Sequence, residues 1–245
     1  MVSFTNQFPD LECGYEENGI WKKPVSPNEL AVYKEITPSP RILRFQGVED
    51  DQLLLLDYHA NGNLWDYLLS TTPPLHTRIG WALEIAEGIA HLYSKSVIWA
   101  DGHFGNVLVT EDLHVVLADF AFSLINPEDF HWFTTQPPLI FCCPVGHHGP
   151  FPTRVDIFSF GVMLFGLLAN RFPWTANLEV DYSEHVKAAQ RLSEHTFDTF
   201  EDEDLNKHFG HIVPRCLNVE YKTGTDVLEA MKDACENWRR DRSTE

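Results

Sequence analysis

Apolar and polar positions along this chain follow two rhythms, a short one near the start and a longer one after it. Leu11–Glu17 and Ile20–Lys23 read as strands on either side of Asn18-Gly19, a pair that favours a type I′ hairpin turn. Gln52–Asp57 holds four leucines in a row, the pattern of a buried strand. Between them, Ser26-Pro27-Asn28-Glu29 marks a helix start, with Ser at the cap, Pro in the first turn and Glu three after the cap. Leu30, Tyr33 and Ile36 supply that helix's apolar stripe, and Pro38 and Pro40 end it.

Beyond this third the helical period takes over. Ile79, Leu83, Ala86, Ala90 and Tyr93 recur at spacings of four and three, which predicts one buried helix face. Val107–Val109 and Val115–Leu117 are short strands around the turn Glu111-Asp112. Thr153 can cap a helix that runs through Ile157, Phe160, Met163, Leu164 and Leu168. That helix is apolar on nearly every side, so it belongs at the centre of its lobe. Val227, Met231, Ala234 and Trp238 line one face of a last helix, with Arg239 and Arg240 near its end, where the helix dipole favours cations. Strands precede helices, with a break near residues 58–62. This order predicts a small β-rich lobe on a larger α-rich one.

Composition narrows the options. The 245 residues suffice for one sizeable core or two small lobes. Seventeen Phe and seven Trp argue for a packed interior and against disorder. The net charge of −18 makes the chain a poor ligand for a nucleic-acid backbone or an anionic membrane. The longest apolar run, Ile157 to Ala169, is shorter than the about 20 residues a bilayer requires. No signal peptide is visible at the N-terminus. Five cysteines, an odd number with one adjacent pair, fit a reducing compartment. An intracellular location, in cytoplasm or nucleus, is therefore expected. Cys142, Cys143, His147 and His148 do not read as a zinc site, because adjacent ligand pairs point apart.

The stretch Val97–Ser123 carries the chemistry. Asp101 is followed by Asn106, then a strand, a turn and a second strand that ends at Asp119-Phe120. Each of these polar residues also suits a turn beside a strand. Their order and the intervening hairpin point further. A hairpin brings a carboxylate and an amide oxygen together, and both are hard donors suited to Mg²⁺.

This layout resembles the catalytic loop and metal-binding turn of eukaryotic protein kinases, in which H-R-D-x-x-x-x-N precedes D-F-G. The resemblance extends to Glu29-x-x-x-Tyr33, Pro40–Leu43, Leu53–Asp57, Asn61–Leu64, Asp156–Gly161 and Asn170–Trp174. The chain looks most like short kinase-like proteins of filamentous fungi, whose catalytic histidine and arginine are often altered. The resemblance implies a bilobal α+β fold, with residues 1–58 as the small lobe and 59–245 as the helical one. It implies ATP and Mg²⁺ in the cleft, a protein substrate or a scaffold partner, and the following roles. Asp101 would receive the substrate proton, and Asp119 and Asn106 would hold Mg²⁺. Lys22 would bind phosphate and pair with Glu29. Backbone groups near Asp57 and His59 would bond adenine, with Leu56 at the gatekeeper position and Ile20 and Leu108 on the ring faces. Asp156 would hold the catalytic-loop backbone.

Four departures stand out. Ser3–Gly14, where the family carries a Gly-rich phosphate loop, offers only Gly14. Six residues separate Lys22 from Glu29, and Glu29 could equally complete a capping box with Ser26. Trp99-Ala100 replaces the family's His-Arg, removing an arginine that commonly receives an activating phosphate. His103 stands where Ser/Thr kinases carry a phosphate-contacting lysine, a task it can perform only when protonated. Finally, Cys143-Pro144-Val145 and Tyr221 stand where a buried glutamate–arginine pair is usual, and loss of both partners is compatible with folding. The expected function is a protein serine/threonine kinase, perforce a slow one if these departures weaken phosphate binding. The alternative is a pseudokinase acting as a binding module. A small-molecule phosphotransferase and a truncated product that never folds stably rank below both.

Overall fold

The computed structural model describes residues 12–16, 19–23, 26–50, 53–126, 138–143, 154–179 and 181–243. Four strands form one antiparallel sheet: β1 (Glu12–Glu16), β2 (Gly19–Lys23), β3 (Phe45–Glu49) and β4 (Leu53–Leu56), in the order β1-β2-β4-β3. Asn18, half of the expected hairpin turn, lies outside the described residues. The leucine run is the inner strand β4. Leu54 and Leu56 are buried while Leu53 and Leu55 are half-buried, as the alternation of a pleated strand dictates. Ile20 opposes Leu56 and Lys22 opposes Leu54, so both project on one face of the sheet.

Helix α1 (Pro27–Ile36) starts as expected. The Ser26 hydroxyl accepts the Glu29 N–H at 3.3 Å, and Pro27 occupies the first turn. Its buried residues are Glu29, Val32, Tyr33 and Ile36, whereas Leu30 is only partly covered. The inward face therefore includes a carboxylate, which an apolar stripe cannot reveal.

The larger lobe contains α2 (Leu64–Ser70), α3 (Leu75–Ser94), β5 (Val97–Ile98), β6 (Val107–Val109), β7 (Val115–Leu117) and β8 (Leu124–Ile125). It continues with α4 (Arg154–Ala169), α5 (Tyr182–Ser193), α6 (Glu203–Phe209), α7 (Ile212–Leu217) and α8 (Gly224–Arg242). Thr153, the expected cap of α4, lies outside the described residues. From Asp156 to Leu168 every residue of α4 is buried, so it is the central helix. A methyl at Gly161 would come within 2.6 Å of the Cys216 Cβ, so only glycine permits this approach of α4 to α7. Helix α3 is buried on more than the expected face. Trp81, Ala82, Ile85, Ile89 and Leu92 are also covered, because α4 and α8 both pack against it.

The lobes are bonded to each other. Arg41, between α1 and β3, pairs with Glu87 at 2.7 Å and Glu84 at 3.2 Å on α3. The Leu43 N–H donates to Leu117 O at 2.8 Å, and the Leu117 N–H donates to Arg41 O at 2.9 Å. These contacts seat the base of α1 and β3 on the hairpin β6–β7. Together the sheet and the helical bundle make an α+β bilobal fold. Among the described residues, no helix is long and apolar enough to cross a membrane.

Candidate active site

The hairpin β6–β7 sets two of the expected residues side by side. Val107 pairs with Leu117 and Val109 with Val115, so Asn106 and Ala118 meet at the open end. There the Ala118 N–H donates to Asn106 O at 2.8 Å. The Asn106 side-chain amide donates to Asp101 twice, at 3.0 Å to the backbone oxygen and 3.0 Å to Oδ2. With its nitrogen so engaged, its oxygen is turned away from Asp101.

Asp119 follows directly in a left-handed conformation, φ 55°, and Ala100 has φ 73°. Strain at a non-glycine residue persists only where surrounding bonds hold it. Here they are visible. Asp156, wholly buried, accepts the Trp99 and Ala100 N–H groups, each at 2.8 Å. The Trp99 indole N–H donates to Ala118 O at 3.0 Å, and Ser123 Oγ donates to Trp99 O at 2.9 Å. Trp99 thus binds the backbone just before Asp119 through a ring nitrogen, as well as by packing at 6.5 Å from the Phe120 ring.

The small lobe contributes cations and anions to the same place. Lys22 Nζ lies 2.9 Å from Glu29 Oε1 and 3.2 Å from Asp119 Oδ1. Of the two readings left open for Glu29, its side chain takes the lysine; Ser26 caps the backbone N–H alone. Burial opposes the Lys22 charge, but Asp119 and Glu29 outweigh it and hold the ammonium well above its ordinary value. Burial pushes the Glu29 carboxyl up, and Lys22 works against that shift. Burial, helped by the Asp119 charge, raises Asp101 to about 6, with the Asn106 hydrogen bond opposing.

His103 departs from expectation. Its side chain is buried, and its Nδ1 accepts the Gly105 N–H at 3.0 Å, which leaves the ring proton on Nε2. Burial lowers its pKa to about 4, against a smaller upward pull from Asp119. Burial therefore favours the uncharged ring. This burial works against the cationic phosphate contact expected of His103; its Nε2 lies 3.8 Å from Asp101 Oδ1.

The residues expected to contact adenine lie in the connection from β4 to α2. The Asp57 N–H is engaged with Arg44 O at 3.0 Å, and His59 O with the Gly62 N–H at 3.0 Å. The Asp57 carbonyl and the His59 N–H have no backbone partner among the described residues. The two side chains point to other tasks. Gln46 donates to Asp57 Oδ1 at 2.8 Å, and His59 Nδ1 lies 3.0 Å from Glu111 Oε2. Ile20 and Leu108 are both half-buried, Ile20 beside Leu56 in the sheet and Leu108 bridged to Asn63. A recess of about 780 Å³, lined by Arg44, Gln46, Asp57, His59 and Glu111 among others, touches none of Lys22, Asp101, Asn106 or Asp119.

At the position of the absent ion pair, Cys143 and Tyr221 are both buried and uncharged, and the Arg215 guanidinium lies 4.3 Å over the Tyr221 ring. Pro144, Val145, His147 and His148 lie outside the described residues, as does most of Ser3–Gly14. Among the described residues no cluster could hold a metal through three His, Cys, Asp or Glu side chains. One residue was missed by sequence reasoning: Asn28, whose side chain bonds the backbone after Phe120. Its only sequence signal is a poor helix former at the second helical position.

Comparison with known proteins identifies the family. The protein kinase domain family matches residues 15–234. The chain is 33% identical over 138 residues to an EPD1-interacting receptor-like cytoplasmic serine/threonine-protein kinase of Nicotiana benthamiana. It is 31% identical over 168 residues to a fibroblast growth factor receptor of Strongylocentrotus purpuratus, and 26% over 162 residues to the tyrosine-protein kinase csk-1 of Caenorhabditis elegans. The matches cover 50%, 58% and 62% of this chain, and 28%, 17% and 30% of those proteins. The chain thus spans less than a third of the length of each of these relatives. With a family match across nine-tenths of its length, this chain belongs to the protein kinase family.

Proposed function

We propose that the chain binds ATP with Mg²⁺ and transfers the γ-phosphate to a serine or threonine hydroxyl of a protein. The observation that carries this reading is the joint placement of Lys22, Glu29 and Asp119 within 3.2 Å contacts, next to the bonded pair Asp101–Asn106. Phosphoryl transfer asks an enzyme mainly for position and charge neutralisation. The donor set fits a magnesium ion: Asp119 is a partly exposed carboxylate, and Asn106 has an amide oxygen not used on Asp101. Mg²⁺ held by Asp119 and Asn106 would neutralise phosphate charge. Lys22, kept protonated by two carboxylates, is ready to face a third anion. Asp101 can orient the substrate hydroxyl and accept its proton once ionised. The Asp57 carbonyl and His59 N–H offer an acceptor and a donor for adenine. Residues 1–58 form the small lobe and 59–245 the large one in this reading.

A pseudokinase acting as a scaffold is the second reading. The neutral, buried His103 supports it, because the cation usual at that point is missing. Thermal unfolding with and without Mg²⁺-ATP, on wild type and Asp119→Asn, separates the two. Stabilisation lost in the variant supports the nucleotide site, and no shift at millimolar ATP favours the scaffold. Transfer of labelled γ-phosphate to serine or threonine, abolished in Asp101→Asn, tests catalysis and residue preference together.

A further inference from the structure

Helix α1 meets the metal-binding turn through more than its ion pair. The Asn28 side-chain nitrogen donates to Ala121 O at 3.1 Å and to Ser123 O at 2.9 Å, using both of its protons. The neighbouring Glu29 carboxylate accepts the Phe120 N–H. One turn on, Tyr33 meets the Phe120 ring edge-on at 5.1 Å. Three residues of one helix thus grip residues 120–123, immediately after Asp119. The carbonyls Asn28 reaches lie on either side of Phe122. Ser123 also bonds Trp99 O, which ties the same short stretch to the catalytic loop.

Two chemical facts make Asn28 a choice and not a filler. Asparagine at the second helical position gains nothing from the helix dipole, which favours an anion there. Yet an anion would face two carbonyl oxygens and could donate to neither. The amide satisfies the turn at the expense of the helix start. Position 100, before the catalytic aspartate, holds an alanine with no charge to receive a phosphate.

We propose that Asn28 is a positioning residue. It holds the turn that bears Asp119 against α1, so that Lys22, Glu29 and Asp119 are assembled without a phosphorylated side chain. The proposal rests on the nucleotide-binding reading above. In it, binding competence depends on the fraction of molecules with the turn docked, and losing that fraction weakens apparent affinity in proportion.

The test compares the wild-type chain with Asn28→Ala and Asn28→Asp. Asn28 is exposed, so neither change disturbs the core. Amide exchange is measured at Phe120 and Ser123, whose N–H groups bond Glu29 and Phe120 O, and at Thr37, which reports on the end of α1. Mg²⁺-ATP affinity is measured in parallel. Exchange at Phe120 and Ser123 is expected to quicken about three- to tenfold in both variants, with Thr37 unchanged and affinity weakened by a similar factor. A purely helix-stabilising role predicts the opposite for Asn28→Asp, which should strengthen the helix start. Unchanged exchange in both variants, or faster exchange with unaltered affinity, overturns the assignment. A wild-type chain that ignores Mg²⁺-ATP overturns the nucleotide reading itself, and does so before any variant is compared. Wild-type protein treated with a phosphatase should keep its affinity; a loss would show that a phosphate, not Asn28, does the holding.

Discussion

Lys22 and Glu29 are seven positions apart in the chain and 2.9 Å apart at their charged atoms, although one ends a strand's inner face and the other opens a helix. Few residues separate them, but the strand leaves Lys22 pointing along the sheet face that α1 covers. The helix then needs only its first turn to deliver Glu29. Asp119, from the other lobe, completes the group at 3.2 Å.

Breaking this group on one side should be costly. The Glu29 side chain is 4% exposed and the Lys22 side chain 15%. Removing one partner of a buried pair typically costs about 3–5 kcal/mol, because the other charge is stranded. Urea denaturation should show Lys22→Met, which strands Glu29, destabilised by an amount of this order, and Glu29→Leu by less, because Lys22 keeps Asp119 at 3.2 Å. The double variant should lose less than the sum of the two. Additive losses would mean that the two side chains act independently.

Asp101 carries a cost in stability at neutral pH. Its folded pKa of about 6 exceeds the usual carboxylate value, so the native state holds a proton that the unfolded chain releases. Stability from this group is full below about pH 4 and lost as pH rises through about 6. Asp101→Asn keeps an oxygen for Asn106 and removes the buried charge. It should be inactive, yet more stable than wild type by roughly 1–2 kcal/mol at pH 7.5, with little difference near pH 4. Equal stability at both pH values would contradict this.

In the proposed function the same carboxyl would set the pH dependence of the rate. If Asp101 must be ionised to take a proton, phosphoryl transfer should rise with pH and level off above about 6. Lower pH should weaken the rate about tenfold per unit. A profile flat from pH 5 to 8 would remove Asp101 from the proton-accepting role.

His103 should titrate far from the other histidines. Its folded pKa, lowered by burial to about 4, lies below the unfolded value of about 6.5. The unfolded chain therefore binds the extra proton first, and stability from this site is lost as pH falls from about 6.5 towards 4. Ring-proton NMR should give a His103 midpoint near 4 and a proton on Nε2 at pH 7. A midpoint near 6.5 would restore the cationic role.

Tyr33 presents a simpler case. It is wholly buried, and its hydroxyl has no hydrogen-bond partner among the described residues. A buried, unsatisfied hydroxyl is destabilising by about 1–3 kcal/mol. Tyr33→Phe should keep the ring contacts with Phe45 and Phe120 and gain about 1 kcal/mol in denaturation experiments. A loss of stability would reveal a partner, such as a bound water.

Much of this protein could be read from short stretches of chain. The hairpin Val107–Leu117, the start of α1 at Ser26-Pro27 and the mostly apolar α4 follow from turn chemistry, capping and periodicity, all of which act over a few residues. The order of Asp101, Asn106 and Asp119 was equally legible, since a hairpin between them brings its own ends together. Long-range placement was not. Whether Glu29 served Ser26 or Lys22, whether His103 carried a charge, and what Asn28 touched depended on how closely two lobes meet and how much water they exclude. Hydrogen bonds across 93 and 95 positions, and the desolvation that lowers the His103 pKa, come into being only when distant segments pack, and no local pattern of residues encodes that distance.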